Sequence, residues 1–135
     1  MIVLDASAAV RWASLPGERP IAPEGTVLIA PDLFVSEVQN AAFKYVRGQH
    51  LSRVRAEALV ATVLELIDSF FHPSQIARTA WSLAMPHDHS PYDMLFLALA
   101  IELDTRVLTA DRRFAKKLDG TVHARHVLLV EPLVS

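Results

Sequence analysis

The chain has 135 residues, 13 Lys and Arg against 15 Asp and Glu, no Cys, and 52% hydrophobic residues. That length suits one domain over residues 1–135, able to bury roughly two thirds of the unfolded chain's surface in a single core. The absence of Cys excludes disulfides, thiolate metal sites, iron–sulfur clusters and cysteine nucleophiles, and a net charge of −2 gives no whole-protein basic field for nucleic acid.

In chain order, the apolar run Ile2–Leu4 predicts a strand that ends in Asp5. A first helix follows, and Leu15–Thr26, with Pro16, Gly17, Pro20, Pro23 and Gly25, reads as a loop beside it. Val27–Ala30 predicts a second strand. Pro31 suits a first helical turn, and Phe34, Val38, Ala41, Ala42 and Tyr45 keep helical spacing until Gly48 stops it. Ser52 opens a second long helix reaching about Asp68. Ser69–His72 is a weaker strand candidate, resting on two Phe residues before Pro73. Helices over Ser74–Met85 and Pro91–Leu103 precede a strand at Val107–Leu108 with its flanks. A short helix over Asp111–Leu118 stops near Gly120, and Val127–Val130 predicts the last strand.

These strands do not alternate apolar with polar residues, which is how strands covered on both faces read. Strands separated by helices predict an α/β fold, an α/β/α sandwich around a central parallel sheet of four to five strands with right-handed crossovers. The helix pair after the second strand exceeds the needs of one crossover and is expected to extend beyond the sheet. The longest apolar run, Met94–Ile101, has eight residues, against the ~20 of a membrane-spanning helix. No charged segment precedes an apolar stretch at the N-terminus. The expectation is a cytoplasmic protein with no membrane partner.

Open α/β sheets carry their sites outside the carboxyl ends of the strands. The first strand runs into Asp5, in IVLDAS, and another into Asp111, in VLTAD; the two emerge on one edge if those strands are neighbours. Glu37, in VSEVQNA, and Asp93, in SPYDMLFLALA, sit on helices able to line that edge. Each acid has an ordinary alternative. Asp5 or Ser7 can cap the first helix, Asp111 or Thr109 the last, and Ser90, Pro91 and Asp93 together read as a capping box. Glu37 can be a solvated helix residue. Convergence of all four favours another role, because like charges raise one another's pKa unless a cation neutralises them. Carboxylates without His or Cys suit hard ions such as Mg²⁺ or Mn²⁺ and not Zn²⁺.

The segments IVLDAS, SEVQNA, SPYDMLFLALA and VLTADRRF resemble, in order and spacing over essentially the whole chain, the PIN-domain ribonucleases, particularly the VapC-type toxins of toxin–antitoxin pairs. The resemblance implies a PIN-like sandwich and an endoribonuclease that hydrolyses RNA phosphodiester bonds with Mg²⁺ (or Mn²⁺) as cofactor. It implies an acidic quartet of Asp5, Glu37, Asp93 and Asp111, with Asp5 and Asp93 the direct metal ligands and Ser7, Asn40 and Thr109 in support. It also implies an RNA substrate, a cognate VapB-type antitoxin, and a homodimer or a heteromer with that antitoxin. A mean hydropathy of +0.28 suits a surface covered by a partner. The stretch Leu51–His89 carries no family signature.

Arg112, Arg113, Lys116 and Lys117 follow Asp111 directly. They suit RNA phosphates, Arg112 and Arg113 above all, or else a solvated helix with cations in its last turn. Arg11 is placed to reach the cleft from the first helix. His87-Asp88-His89 reads as a loop between helices, since the other ligands of a zinc set are missing. His123 and His126 read as surface, and Trp12 and Trp81 as core or interface anchors. Two other readings compete: a non-catalytic RNA-binding or scaffolding PIN domain, and a phosphoacceptor or phosphatase-type α/β domain with a nucleophilic strand-end Asp. Haloacid-dehalogenase-like phosphatases want an Asp two residues after that nucleophile, where Ser7 stands. With four acids assigned to one pocket, the rest of the chain carries 13 basic against 11 acidic residues.

Overall fold

In the computed structural model, which describes residues 1–15 and 20–130, five parallel strands form one sheet. They are β1 (Ile2–Leu4), β2 (Leu28–Pro31), β3 (Ser69–Phe71), β4 (Val107–Thr109) and β5 (Val127–Leu129). The strand order is β3-β2-β1-β4-β5. The helices are α1 (Ala6–Ser14), α2 (Leu33–Arg47), α3 (Arg53–Leu64), α4 (Ala77–His87), α5 (Pro91–Glu102) and α6 (Arg112–Leu118). This is the α/β/α sandwich expected from the unbroken apolar runs. Right-handed crossovers in that strand order put α1, α2 and α3 on one face and α4, α5 and α6 on the other. Pro16 and Gly17 of the predicted loop lie outside the described residues. Among the described residues no helix is long and apolar enough to cross a membrane.

The core is densest around α5. Met94, Phe96, Leu97, Ala98, Leu99 and Ala100 are all buried, because this helix packs on β1, β2 and β4 with α4 against its side. A helix apolar on every side has no solvent face, and α5 is enclosed accordingly. On the opposite face α1 packs on α2 and α3, so the extra helix pair thickens that layer beside α1.

Several boundaries differ from the sequence expectation, each for a local reason. Pro31 is not in the first turn of α2; it ends β2, paired with Phe71 of β3. It lies beyond the β1–β2 register, which covers Ile2↔Leu28 and Val3↔Ile29, so its missing N–H costs the ladder nothing. The helix opened by Ser52, whose side chain accepts a hydrogen bond from the Arg55 N–H, ends at Leu64 and not Asp68. Asp68 instead clips onto β2: its N–H donates to the Leu28 carbonyl at 2.8 Å, and its Oδ2 accepts from the Leu28 N–H at 2.8 Å. That reciprocal pair turns the chain into β3, whose Ser69 and Phe70 stay exposed on the sheet edge. The helix predicted from Ser74 begins with a 3-10 turn over Pro73–Gln75 before α4. Trp81 is 59% exposed on α4, so it is not a core residue. His126, expected on the surface, is buried and its Nδ1–H donates to the Thr105 carbonyl at 2.8 Å. His123 is half-buried with its ring edge-on to His87, and burial, then His87, His126 and Arg125, lowers its pKa.

Replacing Asp68 with Ala removes one half of the clip and leaves the Leu28 N–H without its carboxylate. The expected loss is about 1 kcal/mol, read as a lower urea midpoint with an unchanged slope. A midpoint equal to that of the parent protein would mean that the clip does not hold β3 to the sheet.

Candidate active site

β1 and β4 are direct neighbours, in register Val3↔Val107 and Leu4↔Leu108. The strand order reverses at this pair, since β2 and β3 lie beyond β1 while β5 lies beyond β4. Crevices form at such switch points, outside the carboxyl ends of the strands. Asp5 stands directly after β1 and its N–H donates to the Leu108 carbonyl at 3.0 Å, which fixes its backbone to β4.

Asp5 occupies the N-cap position of α1, yet its side chain makes no capping bond. Its Oδ2 accepts from the Ser7 hydroxyl at 2.8 Å and from the Thr109 hydroxyl at 2.6 Å. Each hydroxyl has one proton, and giving it to Asp5 leaves its lone pairs for backbone donors. Thr109 accepts from the Asp111 N–H at 3.1 Å, and Ser7 accepts from the Ala110 N–H at 3.0 Å. Thr109 is completely buried. The ordinary capping role is thus not the one Asp5 performs.

Asp111 does cap: its Oδ1 accepts from the Phe114 N–H at 3.1 Å, opening α6. Asp93 is different again. Ser90 caps α5 by accepting from the Tyr92 N–H at 3.2 Å, but the reciprocal half of a capping box is absent among the described residues. The Asp93 Oδ2 is bonded instead to Nε2 of His89 at 2.6 Å. In all three aspartates, then, one carboxylate oxygen is committed to a local donor, and among the described residues the other accepts no hydrogen bond.

Asp5, Glu37, Asp93 and Asp111 line a single cleft of about 750 Å³ together with Ser7 and Asn40. The structure therefore brings the whole predicted quartet and two of its supporting residues to one place, with Thr109 beneath Asp5. Asn40 is exposed, one turn along α2 from Glu37. The cations that line the cleft are Arg11 and Lys44; the Arg11 Nε is buried and has no hydrogen-bond partner among the described residues. Arg112 and Arg113 are exposed on α6 and do not belong to this lining.

The electrostatics follow from the crowding. Burial raises the pKa of Asp5; the Thr109 and Ser7 hydroxyls act against that, and Asp93 and Asp111 add to it. The Glu37 carboxyl is pushed up to about 8, first by burial and then by the charges of Asp5 and Asp93. Four oxygen donors that repel one another fit a hard divalent cation by their chemistry. Among the described residues no three His, Cys, Asp or Glu side chains are close enough together, as they stand, to hold a metal ion between them. A hard cation such as Mg²⁺ needs only one or two carboxylates and keeps several waters, so the donor set fits.

His89, Lys44 and Tyr45 at this site escaped the sequence reading. The signal for His89 was present in outline: it lies four residues before Asp93, but across a helix start, where the i,i+4 rule gives no guidance. Lys44 and Tyr45 follow Glu37 at seven and eight residues, two turns along one face of α2, and carried only a packing signal.

The PIN domain family model matches residues 2–118. Ribonuclease VapC1 of Mycobacterium tuberculosis is 32% identical over 118 residues, covering 84% of this chain and 87% of that protein. Ribonuclease VapC3 of Pyrobaculum aerophilum is 30% identical over 128 residues, covering 90% of this chain and 97% of that protein. A crystal structure from Pyrobaculum aerophilum superposes with a TM-score of 0.61 at 18% identity, over 89% of this chain and 81% of that one, and shows the shared fold.

The raised Glu37 pKa has a sign that can be measured. Below about 8 the folded, cation-free protein holds a proton on Glu37, and a cation that binds the carboxylate must displace it. Apparent Mn²⁺ affinity should therefore climb as pH rises from 6 to 8, by up to about tenfold per unit, and level off above. Cation-free stability should move oppositely over the window between the ordinary value of 4.5 and 8, because there the folded state binds more protons than the unfolded one. Calorimetric titration and thermal melts of Glu37→Gln should lose both trends. Equal slopes in parent and variant would assign the trends to another group.

Proposed function

Because this chain belongs to the PIN-domain family, we propose that it is the ribonuclease toxin of a VapBC-type toxin–antitoxin pair, hydrolysing RNA phosphodiester bonds at the acidic cleft. The observation that carries this reading is the Asp5 carboxylate, held by two hydroxyls where β1 and β4 end side by side, facing three further acids in one cleft. A helix cap or a solvated carboxylate needs no such support. The curated relatives are ribonucleases by name and match most of their length, which supports RNA as the substrate class.

In this reading Asp5 and Asp93 hold a divalent cation, Mg²⁺ or Mn²⁺, with Glu37 and Asp111 completing the negative cluster. Bound there, such a cation supplies charge neutralisation and Lewis-acid activation of water and phosphate. The chain's own residues do the rest. Ser7 and Thr109 fix the rotamer of Asp5 and restrain its charge. Arg11 and Lys44 line the same cleft and offset the repulsion between the acids and an incoming phosphodiester. Glu37, protonated up to about pH 8 before the cation arrives, is the group whose proton must leave as the site fills. Arg112 and Arg113, exposed beside Asp111, suit phosphates further along the strand. Action on cellular RNA would place the protein in the cytoplasm. Trp81, Met85 and Tyr92 are 59%, 58% and 65% exposed, apolar surface of a kind that the antitoxin or a second copy would cover.

Purified Asp5→Asn and Asp93→Asn should each lose about 100-fold or more in Mg²⁺-dependent RNA cleavage, with far-UV circular dichroism unchanged. Mapping cleaved cellular RNA after induction, against Asp5→Asn, then identifies the target. Robust divalent-dependent cleavage by both variants would sink the assignment.

A further inference from the structure

We propose that His89 is a positioning residue for the cation site: its Nε2–H anchors one oxygen of Asp93 and leaves the other for the cation. The inference rests on the reading of Asp93 as a ligand and deepens it. The contact is short, 2.6 Å, between a His side chain 12% exposed and an Asp side chain 39% exposed. A carboxylate offers only acceptors, so the ring nitrogen is the donor.

Three observations make His89 a built anchor and not a chance neighbour. Its backbone is fixed, since its N–H donates to the Ala84 carbonyl at 3.2 Å as the chain leaves α4. The preceding Asp88 takes the left-handed conformation, φ 47°, needed to make that turn. The ring face is held as well, tilted against Phe114 of α6 with centroids 5.6 Å apart, and Phe114 is itself buried. His89 thus has backbone, ring and Nε2 all engaged, in contact with α4, α5 and α6.

The other two aspartates explain why the anchor matters. Asp5 commits Oδ2 to Ser7 and Thr109, and Asp111 commits Oδ1 to the Phe114 N–H. Asp93 sits where a capping box would consume its carboxylate on the Ser90 N–H. His89 diverts it. Without that donor the side chain is free to fold back onto the helix terminus or swing to water, and the cleft loses a preset ligand. Residues that hold a metal ligand in place typically affect affinity by 10- to 100-fold.

The test is Mn²⁺ binding to the full-length protein without RNA, by calorimetry, beside the Mn²⁺ concentration giving half-maximal cleavage. His89→Ala should weaken Mn²⁺ binding by about 10- to 100-fold and raise the half-maximal concentration in step, while KM for RNA at saturating Mn²⁺ stays within about twofold. His89→Gln, whose amide nitrogen can replace Nε2, should stay within about threefold of the parent; His89→Asn, too short to reach, should behave as His89→Ala and serves if the alanine variant does not fold. Parent-like Mn²⁺ affinity in both His89→Ala and His89→Asn overturns the inference. So does a His89→Gln loss as large as that of His89→Ala, which would make the imidazole a ligand in its own right. The underlying reading fails separately, through parent-like Mn²⁺ binding by Asp5→Asn and Asp93→Asn. Loss in those two with no loss in the His89 variants defeats this inference alone.

Discussion

The structure turns on a carboxylate held where carboxylates are costly. Asp5 lies at the mouth of the sheet with its pKa raised by burial, and two hydroxyl donors from opposite ends of the chain make that burial tolerable. An ionised group in such a place survives only with hydrogen bonds to its charged form. Supplying them dictates much else. Thr109 must end β4, β4 must lie beside β1, and the strand order must therefore reverse between them.

From that point the other acids find their places through the core. Asp93 reaches the cleft because α5 is packed beneath β1, β2 and β4 with no exposed face of its own to rotate toward. Glu37 arrives on α2 from the opposite layer. The two layers thus deliver one acid each to a pair already fixed by the sheet. The result is a cluster that opposes folding locally, since burial first, and then the charges of Asp5 and Asp93, push the Glu37 carboxyl up to about 8. Locally unfavourable arrangements of this kind are common where function sets the design and the remainder of the core carries the stability.

Much of this was legible in the residues because the relevant signals are local. Unbroken apolar runs marked buried parallel strands, and an Asp at the end of two of them marked the productive edge. Ser52 and Ser90 announced helix starts that the structure retains. What escaped depends on contacts between distant or irregular segments. Pro31 suits a helix start by its own geometry, and only the limited β1–β2 register makes it a strand end. His126 is polar and flanked by Arg125, and only the Thr105 carbonyl across the fold explains its burial. Arg11 reaches the cleft from α1 as its position suggested, but basic residues beside Asp111 drew the eye to Arg112 and Arg113, whereas the second cation in the lining is Lys44 of α2. His89 read only as a loop residue between helices, because its partner Asp93 lies across a helix boundary.

The bond between Thr109 and Asp5 joins residues 104 positions apart in the chain. While the protein is being synthesised, the first four-fifths of the sequence can emerge with Asp5, Glu37 and Asp93 already made and still lack the strand that draws them together. Pairings of such long range form late, because the chain must close a large loop before they return any energy. Asp5 therefore lacks its Thr109 donor until β4 has been made and inserted beside β1. The acidic site is thus a product of the closed sheet and not of any contiguous stretch of chain.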